Sequence, residues 1–246
     1  MRSVLPKLAL ATLLLSGCAG TPDRPLTPAR HVIDEIERPD DGFPSDIYDP
    51  FEGFNRGSYT FNAKFDEYVF LPVVYGYRAV MPDVLEDRVH DFFSKLSEIP
   101  TFVNSLLQLN FDHAGRAAHR FLVNSTVGLL GFVDIATLTG TEQEREDFGQ
   151  TLGVWGLGEG PYIVLPILGP SNLRDATGLA VTAVATAAAV PPDVSDTTAY
   201  EATAYGLRPI DTRNNVAFRY YSSSSPFEYE LVRLLYTQKR QFDILR

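Results

Sequence analysis

The sequence is poor in the residues that build most catalytic and metal sites. It has one cysteine, Cys18, so neither an intramolecular disulfide nor a cysteine pair for zinc can form. Its four histidines include no pair at the i, i+4 spacing of a helical metal site. The sequence also has no G-x-S-x-G, P-loop or H-E-x-x-H motif. We therefore expect no catalytic residues, no metal site and no cofactor, and hence a protein that is not an enzyme.

The chain also lacks an excess of positive charge and a long apolar run. The net charge is −10, which disfavours binding to nucleic acid and to anionic lipid surfaces. The uncharged stretch Ala176 to Val190 would be about 22 Å long as a helix, shorter than a bilayer core of about 30 Å. Two interpretations of this stretch stay open, a buried core helix or a helix that partly faces lipid.

The start of the chain explains the single cysteine. Arg2 and Lys7 precede an apolar segment, Leu8 to Leu15, and small residues then lead to Cys18, as in an export signal. Leu15-Ser16-Gly17-Cys18 resembles the bacterial lipobox, in which the thiol is acylated and the preceding residues are removed. An ordinary signal peptide with a nearby cysteine is the alternative. We predict a lipoprotein signal peptide over residues 1–17 and lipidation at Cys18, and Ala19 favours sorting to the outer membrane.

The rest of the chain divides into a tether and one folded body. Residues 18–46 are polar and contain five prolines, which is typical of a flexible tether. Residues 47–246 are long enough for one domain. Helix signals recur along it: a capping pattern at Asp49 to Glu52, prolines at Pro72 and Pro82, and a second capping pattern at Ser225 to Glu228. Further helical patterns cover Val84 to Leu96, Pro100 to Leu109 and Asp112 to Asn124.

The first predicted helix carries an aromatic face. Phe51, Phe54, Phe61 and Phe65 recur at helical spacing. An aromatic stripe of this kind packs either in a protein core or at a membrane surface. Both interpretations stay open for this face.

A second unusual segment is rich in glycine and proline. Gly149 to Pro170 is predicted to be a loop with a short strand at Tyr162 to Leu165. Glycines can absorb the dihedral changes of a hinge. The segment is therefore a candidate gate, with the alternative that its glycines only form turns or allow close packing. The residues concerned are Gly153, Trp155, Gly156, Gly158 and Gly160.

Four strings in the body resemble the VacJ/MlaA family of outer-membrane lipoproteins. They are DPFEGFNRGSYTFN, NSLLQ, RFLVNSTVGLLGFVDIA and DFGQTLGVWGLGEGPYIVLPILGPSNLRD, and they occur in this order behind the lipobox. The resemblance implies an all-α, ring-like, single-domain bundle of amphipathic helices, with at most a minor strand, in the periplasmic leaflet of the outer membrane of a Gram-negative bacterium.

The resemblance also implies a function and partners. Such a protein removes phospholipids misplaced in the outer leaflet through an amphipathic channel and passes them to a soluble periplasmic carrier. The family is found with trimeric porins. A non-transporting lipoprotein scaffold for porins is the alternative, and a surface phospholipase is a further one that the missing nucleophile motif disfavours.

Overall fold

The computed structural model describes residues 47–223 and 225–245. The predicted signal peptide, Cys18 and the tether lie outside the described residues and stay predictions. The described chain is mostly helical with one small antiparallel sheet, which confirms the all-α class. Its elements are α1 (Glu52–Phe65), α2 (Leu71–Val80), α3 (Asp83–Leu107), α4 (Phe111–Thr126), α5 (Ile135–Leu138), α6 (Phe148–Val154), β1 (Tyr162–Leu165), β2 (Gly169–Asn172), α7 (Leu173–Ala189), α8 (Pro192–Ser195), α9 (Thr198–Glu201), α10 (Arg208–Asn214) and α11 (Glu228–Leu245).

The first helix begins near the predicted position, but its cap differs from the prediction. α1 starts at Glu52 behind Phe51, which makes no side-chain cap hydrogen bond. The side chain of Asp49, the predicted cap, instead accepts hydrogen bonds from Asn55 and from Arg233 of α11. Because this carboxylate is buried, the charge-assisted bond to a guanidinium compensates its desolvation better than a backbone N–H alone would.

Proline starts two helices as predicted and fails to interrupt a third. α2 has a proline in its first turn, and Pro82 directly precedes α3. The two helical stretches predicted on either side of Pro100 are one continuous helix, α3. Pro100 lacks an N–H, but its carbonyl oxygen accepts a hydrogen bond from the Asn104 side chain at 2.8 Å. Packing along α4 supports the helix through this position.

The predicted strand Tyr162 to Leu165 is confirmed as β1, and it pairs with β2 in an antiparallel hairpin. α1 lies against this hairpin and bonds to it through two asparagine side chains. Asn55 donates to the carbonyl oxygen of Tyr162 and accepts from the N–H of Val164. Asn62 makes the same pair of bonds to Leu165 and Ile167. Side-chain amides thus satisfy backbone groups that a neighbouring strand would otherwise satisfy.

The loop predicted from Gly149 is wrong over its first residues, which form α6. Asp147 caps this helix through a capping box with Gln150, a stronger local signal than the two glycines that follow. Gly149 is explained by packing against α7. A Cβ added to Gly178 of α7 would lie 2.4 Å from the backbone nitrogen of Gly149. Only glycine at this crossing allows the two helices to approach so closely.

The hydrophobic core is small and aromatic. Tyr59 of α1, Tyr162 and Val164 of β1 and Tyr229 of α11 form its fully buried part. The Tyr59 and Tyr229 rings meet edge to face at 5.8 Å. The Tyr59 hydroxyl donates to Glu228, the first residue of α11, at 2.7 Å. This cluster fixes the first and last helices to the hairpin.

Candidate functional site

The distribution of polar and apolar side chains is inverted relative to an ordinary globular domain. Within the described ranges, ten buried residues are hydrophobic and twenty-four are polar or charged. Forty-two large hydrophobic residues are exposed over the same ranges. Exposed apolar area on this scale marks a surface that contacts membrane or another protein.

The first polar cluster in the interior centres on Arg120 of α4, whose side chain is 1% exposed. Its Nε donates to Glu98 of α3 at 2.6 Å and its Nη2 to Asp134 at 2.8 Å. Burial alone would raise the pKa of Asp134, but hydrogen bonds from Thr137, Arg120 and Asn124 outweigh it and lower the pKa to about 2. Asp134 is therefore ionised at neutral pH and pairs with the Arg120 guanidinium.

A second polar cluster joins α6, α7 and α11. Arg240 of α11 donates to Asp175 at 2.7 Å and binds Asp147 through both of its terminal nitrogens, at 2.7 and 2.9 Å. Arg174 and the Tyr236 hydroxyl also donate to Asp175. Burial acts to raise the pKa of Asp175, and these hydrogen bonds, led by that from Arg240, lower it. The two clusters give the interior a set of paired, fixed charges.

The predicted aromatic face lies on the protein surface. Phe51, Phe54 and Phe61 are 51%, 59% and 48% exposed, and Phe65 is half-buried. The core interpretation is therefore wrong for the three exposed rings. The physical reason is that α1 turns its other, more polar face inward, with buried residues Asn55, Ser58, Tyr59, Asn62 and Ala63. Contact of the phenylalanine face with a membrane stays a prediction.

The alanine-rich stretch forms most of α7, and it is not a core helix as one interpretation proposed. Only Arg174, Asp175 and Gly178 of this helix are buried, all near its start. Beyond them most side chains are exposed, including Val184 at 70%. No helix within the described ranges combines the length and apolar character needed to cross a bilayer.

The candidate gate segment is divided by the structure into a helical part and a loop. Gly153 belongs to α6, where an added Cβ would lie 2.5 Å from Ile244 of α11, so close packing accounts for this glycine and its role in a gate stays a prediction. Trp155 is 56% exposed, and its indole N–H donates to the carbonyl oxygen of Leu107 at 3.0 Å. The ring is thus attached to the end of α3.

The loop itself runs from Gly156 to Gly160, and these two glycines have φ values of +90° and +68°. At Gly158 an added Cβ would meet no atom within 4 Å. Leu157 beside it is 52% exposed. The gate function of Gly156, Gly158 and Gly160 stays a prediction, and the structure leaves room for it.

The far end of this loop is held by the start of α7. The backbone N–H of Arg174 donates to the carbonyl oxygen of Glu159 at 3.2 Å. Burial raises the pKa of the Glu159 carboxyl, while the nearby Arg174 acts in the opposite direction. The Nη2 atom of Arg174 is buried without a hydrogen-bond partner. The end of the loop therefore contacts Arg174, a cationic residue whose Nη2 donor has no hydrogen-bond partner among the described residues.

Sequence reasoning missed the arginines and carboxylates of the interior. Several of them were present in the strings that carry the family resemblance, for example Arg120 in RFLVN and Arg174 with Asp175 in NLRD, whereas Glu98 and Arg240 lie outside those strings. A usable signal was a charged residue on the same helical face as small residues, since Arg120 follows Ala114 and Ala117 along the buried side of α4. This signal identifies a buried cation but not its partner, which lies elsewhere in the chain.

The chain is similar to one protein family and to several known proteins. The family model described as MlaA lipoprotein matches residues 47–243. An uncharacterized protein of Rickettsia prowazekii (strain Madrid E), RP093, is 41% identical over 137 residues, which cover 56% of this chain and 55% of that protein. The chain thus spans about half the length of this relative.

Two further similarities concern proteins with a described role. The intermembrane phospholipid transport system lipoprotein MlaA of Escherichia coli (strain K12) is 34% identical over 182 residues, covering 72% of this chain and 65% of that protein. A solved structure from work on the maintenance of bacterial outer membrane lipid asymmetry superimposes with a TM-score of 0.63 at 29% identity. That superposition covers 80% of this chain and 98% of the other.

Proposed function

Because the chain belongs to the MlaA lipoprotein family, we propose that it is an outer-membrane lipoprotein that transports phospholipid. In this proposal it removes phospholipids misplaced in the outer leaflet through an amphipathic channel and passes them to a soluble periplasmic carrier. Phospholipid transport is retrograde, from the outer membrane inward, and it maintains the lipid asymmetry of the outer membrane. The family consists of transport lipoproteins, not of enzymes.

The observation that supports the proposal most is the inverted distribution of side chains. Moving both acyl chains of a phospholipid into water costs about 24 kcal/mol, taking about 15 methylenes per chain. A transporter must keep these chains on apolar surface while the head group meets polar groups. The exposed hydrophobic residues supply the apolar surface in this proposal, and the buried, paired clusters around Arg120 and Arg240 hold the helices together behind it.

Placement in the membrane has two supports. The phenylalanine face of α1 and the exposed side of α7 offer apolar contact to the periplasmic leaflet. Acylation of Cys18 would add anchoring chains that do not depend on positive charge, which suits a net charge of −10. Residues 18–46 would then connect this anchor to the helical domain.

Two partners follow from the family resemblance alone. One is a trimeric porin in the same membrane, and the other is the soluble carrier that receives the lipid. In this chain no nucleotide site was found in the sequence, so we propose that lipid moves passively here and that any driving force comes from distant partners.

The proposal is tested by reconstituting the purified, acylated protein into vesicles that contain labelled phospholipid. We expect label to pass to acceptor vesicles intact. Release of fatty acid would identify a phospholipase instead. If neither transfer nor hydrolysis occurs while a porin co-purifies, the protein is a scaffold.

The gate hypothesis is tested in the same assay with two glycine variants. Gly158→Ala adds a methyl group in open space, so it should not affect folding, and it should slow transfer only if the loop moves. Gly160→Ala places an alanine at a φ of +68° and should cost about 1–2 kcal/mol of stability. Normal transfer by a stable Gly158→Ala protein would reject the gate.

A further inference from the structure

Lys95 of α3 differs from the other buried cations of the described ranges. The buried arginines have a carboxylate within ion-pair distance, whereas no described carboxylate lies within that distance of Lys95, which is 8% exposed. Its Nζ donates to the carbonyl oxygen of Leu130 at 2.5 Å. The ammonium lies 5.1 Å from the centre of the Phe92 ring. Burial lowers the pKa of Lys95.

The group that Lys95 binds belongs to a strained turn. Leu129, Leu130 and Gly131 have φ values of +52°, +62° and +93°. Leucine at such angles costs about 1–2 kcal/mol per residue, and its side chain offers no polar atom to reduce this strain. Glycine or asparagine would serve a turn of this shape better. A role for the leucine side chains would explain why they are present.

The two leucine side chains point outward. Leu129 and Leu130 are each 69% exposed, and their neighbours Val127 and Phe132 are 66% and 43% exposed. We call residues 127–132 the leucine tip. Two cations lie at its base and bind its backbone: Lys95 at Leu130, and Arg88, whose Nη1 donates to the carbonyl oxygen of Phe132 at 2.8 Å.

An apolar tip with cations at its base matches the profile of a lipid leaflet. Hydrocarbon lies beyond the phosphates, and Arg88, whose side chain is 32% exposed and pairs with Asp91 at 3.0 Å, suits the polar level at the base of the tip. Lys95 is 8% exposed and holds the turn from inside the protein. A protein partner would not require this charge arrangement. The length of chain outside the described ranges, chiefly residues 1–46, contains the predicted anchor and tether, which are assigned to other roles.

We propose that the leucine tip inserts into the hydrocarbon of the leaflet that holds the protein, and that Lys95, which binds the Leu130 carbonyl, is the positioning residue that keeps the leucine side chains turned outward. The inference rests on the membrane location in the proposed function. It adds a specific insertion element, formed by a turn and not by a helix face.

Insertion is measured with a fluorophore on Leu130→Cys, in the full acylated chain reconstituted into phosphatidylethanolamine and phosphatidylcholine vesicles with brominated acyl chains. We expect strong quenching there and little at the same label on Glu142→Cys, an exposed polar position. The protein without the Leu130→Cys substitution is treated with the same fluorophore as a control, and any signal from it measures labelling at Cys18. Equal quenching at both positions overturns insertion, and so does a buried label at position 130 that bromine does not quench, since protein then covers the tip.

The role of Lys95 is tested in the Leu130→Cys background. Lys95→Met keeps the volume but removes the bond to the Leu130 carbonyl, so quenching should fall while the melting temperature is maintained. Lys95→Arg retains a cation and donors and should keep the quenching. Unchanged quenching in Lys95→Met overturns the role of Lys95. Lipid transfer is measured on the same vesicles to distinguish failure of the insertion proposal from failure of the proposed function. Loss of transfer while the tip is inserted counts against the proposed function alone.

Discussion

Arg116 and Arg120 are one helical turn apart on α4, but their environments differ. Arg116 is 54% exposed and pairs with Glu144, whereas Arg120 is 1% exposed and holds Glu98 and Asp134. We expect Arg120→Met to lower the free energy of unfolding by about 3–5 kcal/mol, because it leaves the buried Glu98 and the partly buried Asp134 without their cation.

The matched variant Arg116→Met should cost less than about 1 kcal/mol, since an exposed ion pair contributes little. Denaturant unfolding in one detergent measures both variants. Similar losses for the two would contradict the central position assigned to Arg120.

His90 provides a pH-dependent contribution to stability. A hydrogen bond with Asp211 of α10 raises its pKa above the ordinary value of 6.5, against the opposing effect of burial. A raised pKa in the folded state means that the stabilisation is fully present below pH 6.5 and is lost as pH rises through the folded-state pKa. The melting temperature should therefore fall as the pH rises from about 6.5 through the folded-state pKa of His90, and His90→Gln should flatten this fall. An equal slope in both proteins would argue against the pair.

At this scale the sequence could indicate the type of residue but not its partner. The spacing of Phe51, Phe54 and Phe61 predicted one face of a helix, and the structure has that face. Whether it points inward depended on what the opposite face could bind. Asn55 and Asn62 find backbone partners in β1, more than a hundred residues away along the chain, and no local pattern shows this.

The exposed face of α1 gives a prediction at the level of one element. Phe54→Asp should leave folding in solution nearly intact because the ring is 59% exposed, but it should weaken membrane binding by about 2–3 kcal/mol. The predicted anchor at Cys18 would mask this loss, so the comparison uses residues 19–246 throughout, which contain neither the lipidation site nor the apolar segment of the signal peptide. Vesicle flotation measures binding, and Phe54→Leu is the apolar control. Unchanged flotation of Phe54→Asp would show that this face does not meet lipid.

The crossing of α6 and α7 gives a second prediction for elements. Gly178→Ala should destabilise the protein by about 1–3 kcal/mol, since the methyl group would overlap the backbone at Gly149. Gly115→Ala is the control, because an added Cβ in the middle of α4 meets nothing within 4 Å and should stabilise the helix by up to about 1 kcal/mol. Thermal melting separates them, and a neutral Gly178→Ala would mean that the helices can part without loss.

Glycine and proline also explain which elements the sequence mispredicted. Pro100 was treated as a boundary and Gly149 as loop, because both residues are unfavourable in an isolated helix. In the folded protein, α4 packs along α3, and α7 requires a glycine at its contact with α6. Tertiary packing decided both cases. Helix starts at Pro72 and Pro82, which depend on local geometry, were predicted correctly.

For the molecule as a whole, attachment to the membrane depends on one thiol in the present proposal. Cys18→Ala should abolish acylation and removal of residues 1–17, because the sequence has no other cysteine. Metabolic labelling with palmitate and the size of the mature chain measure this. A variant that is still labelled and processed would exclude the lipobox.

The hydrogen bonds from α1 to the hairpin fix the number of residues between Asn55 and Asn62. Asn55 and Asn62 are seven residues apart, about 10.5 Å along a helix. The backbone groups that they bind are shifted by three residues, from Tyr162 and Val164 in β1 to Leu165 at its end and Ile167 in the turn beyond it. α1 and the hairpin therefore fit together at two contact points, and the spacing between these points is fixed on both elements. One inserted or deleted residue between the asparagines would rotate one of them by about 100° and break the match. Residues between the two asparagines can therefore be substituted, but a residue inserted or deleted there would lose one of the two contacts with the hairpin.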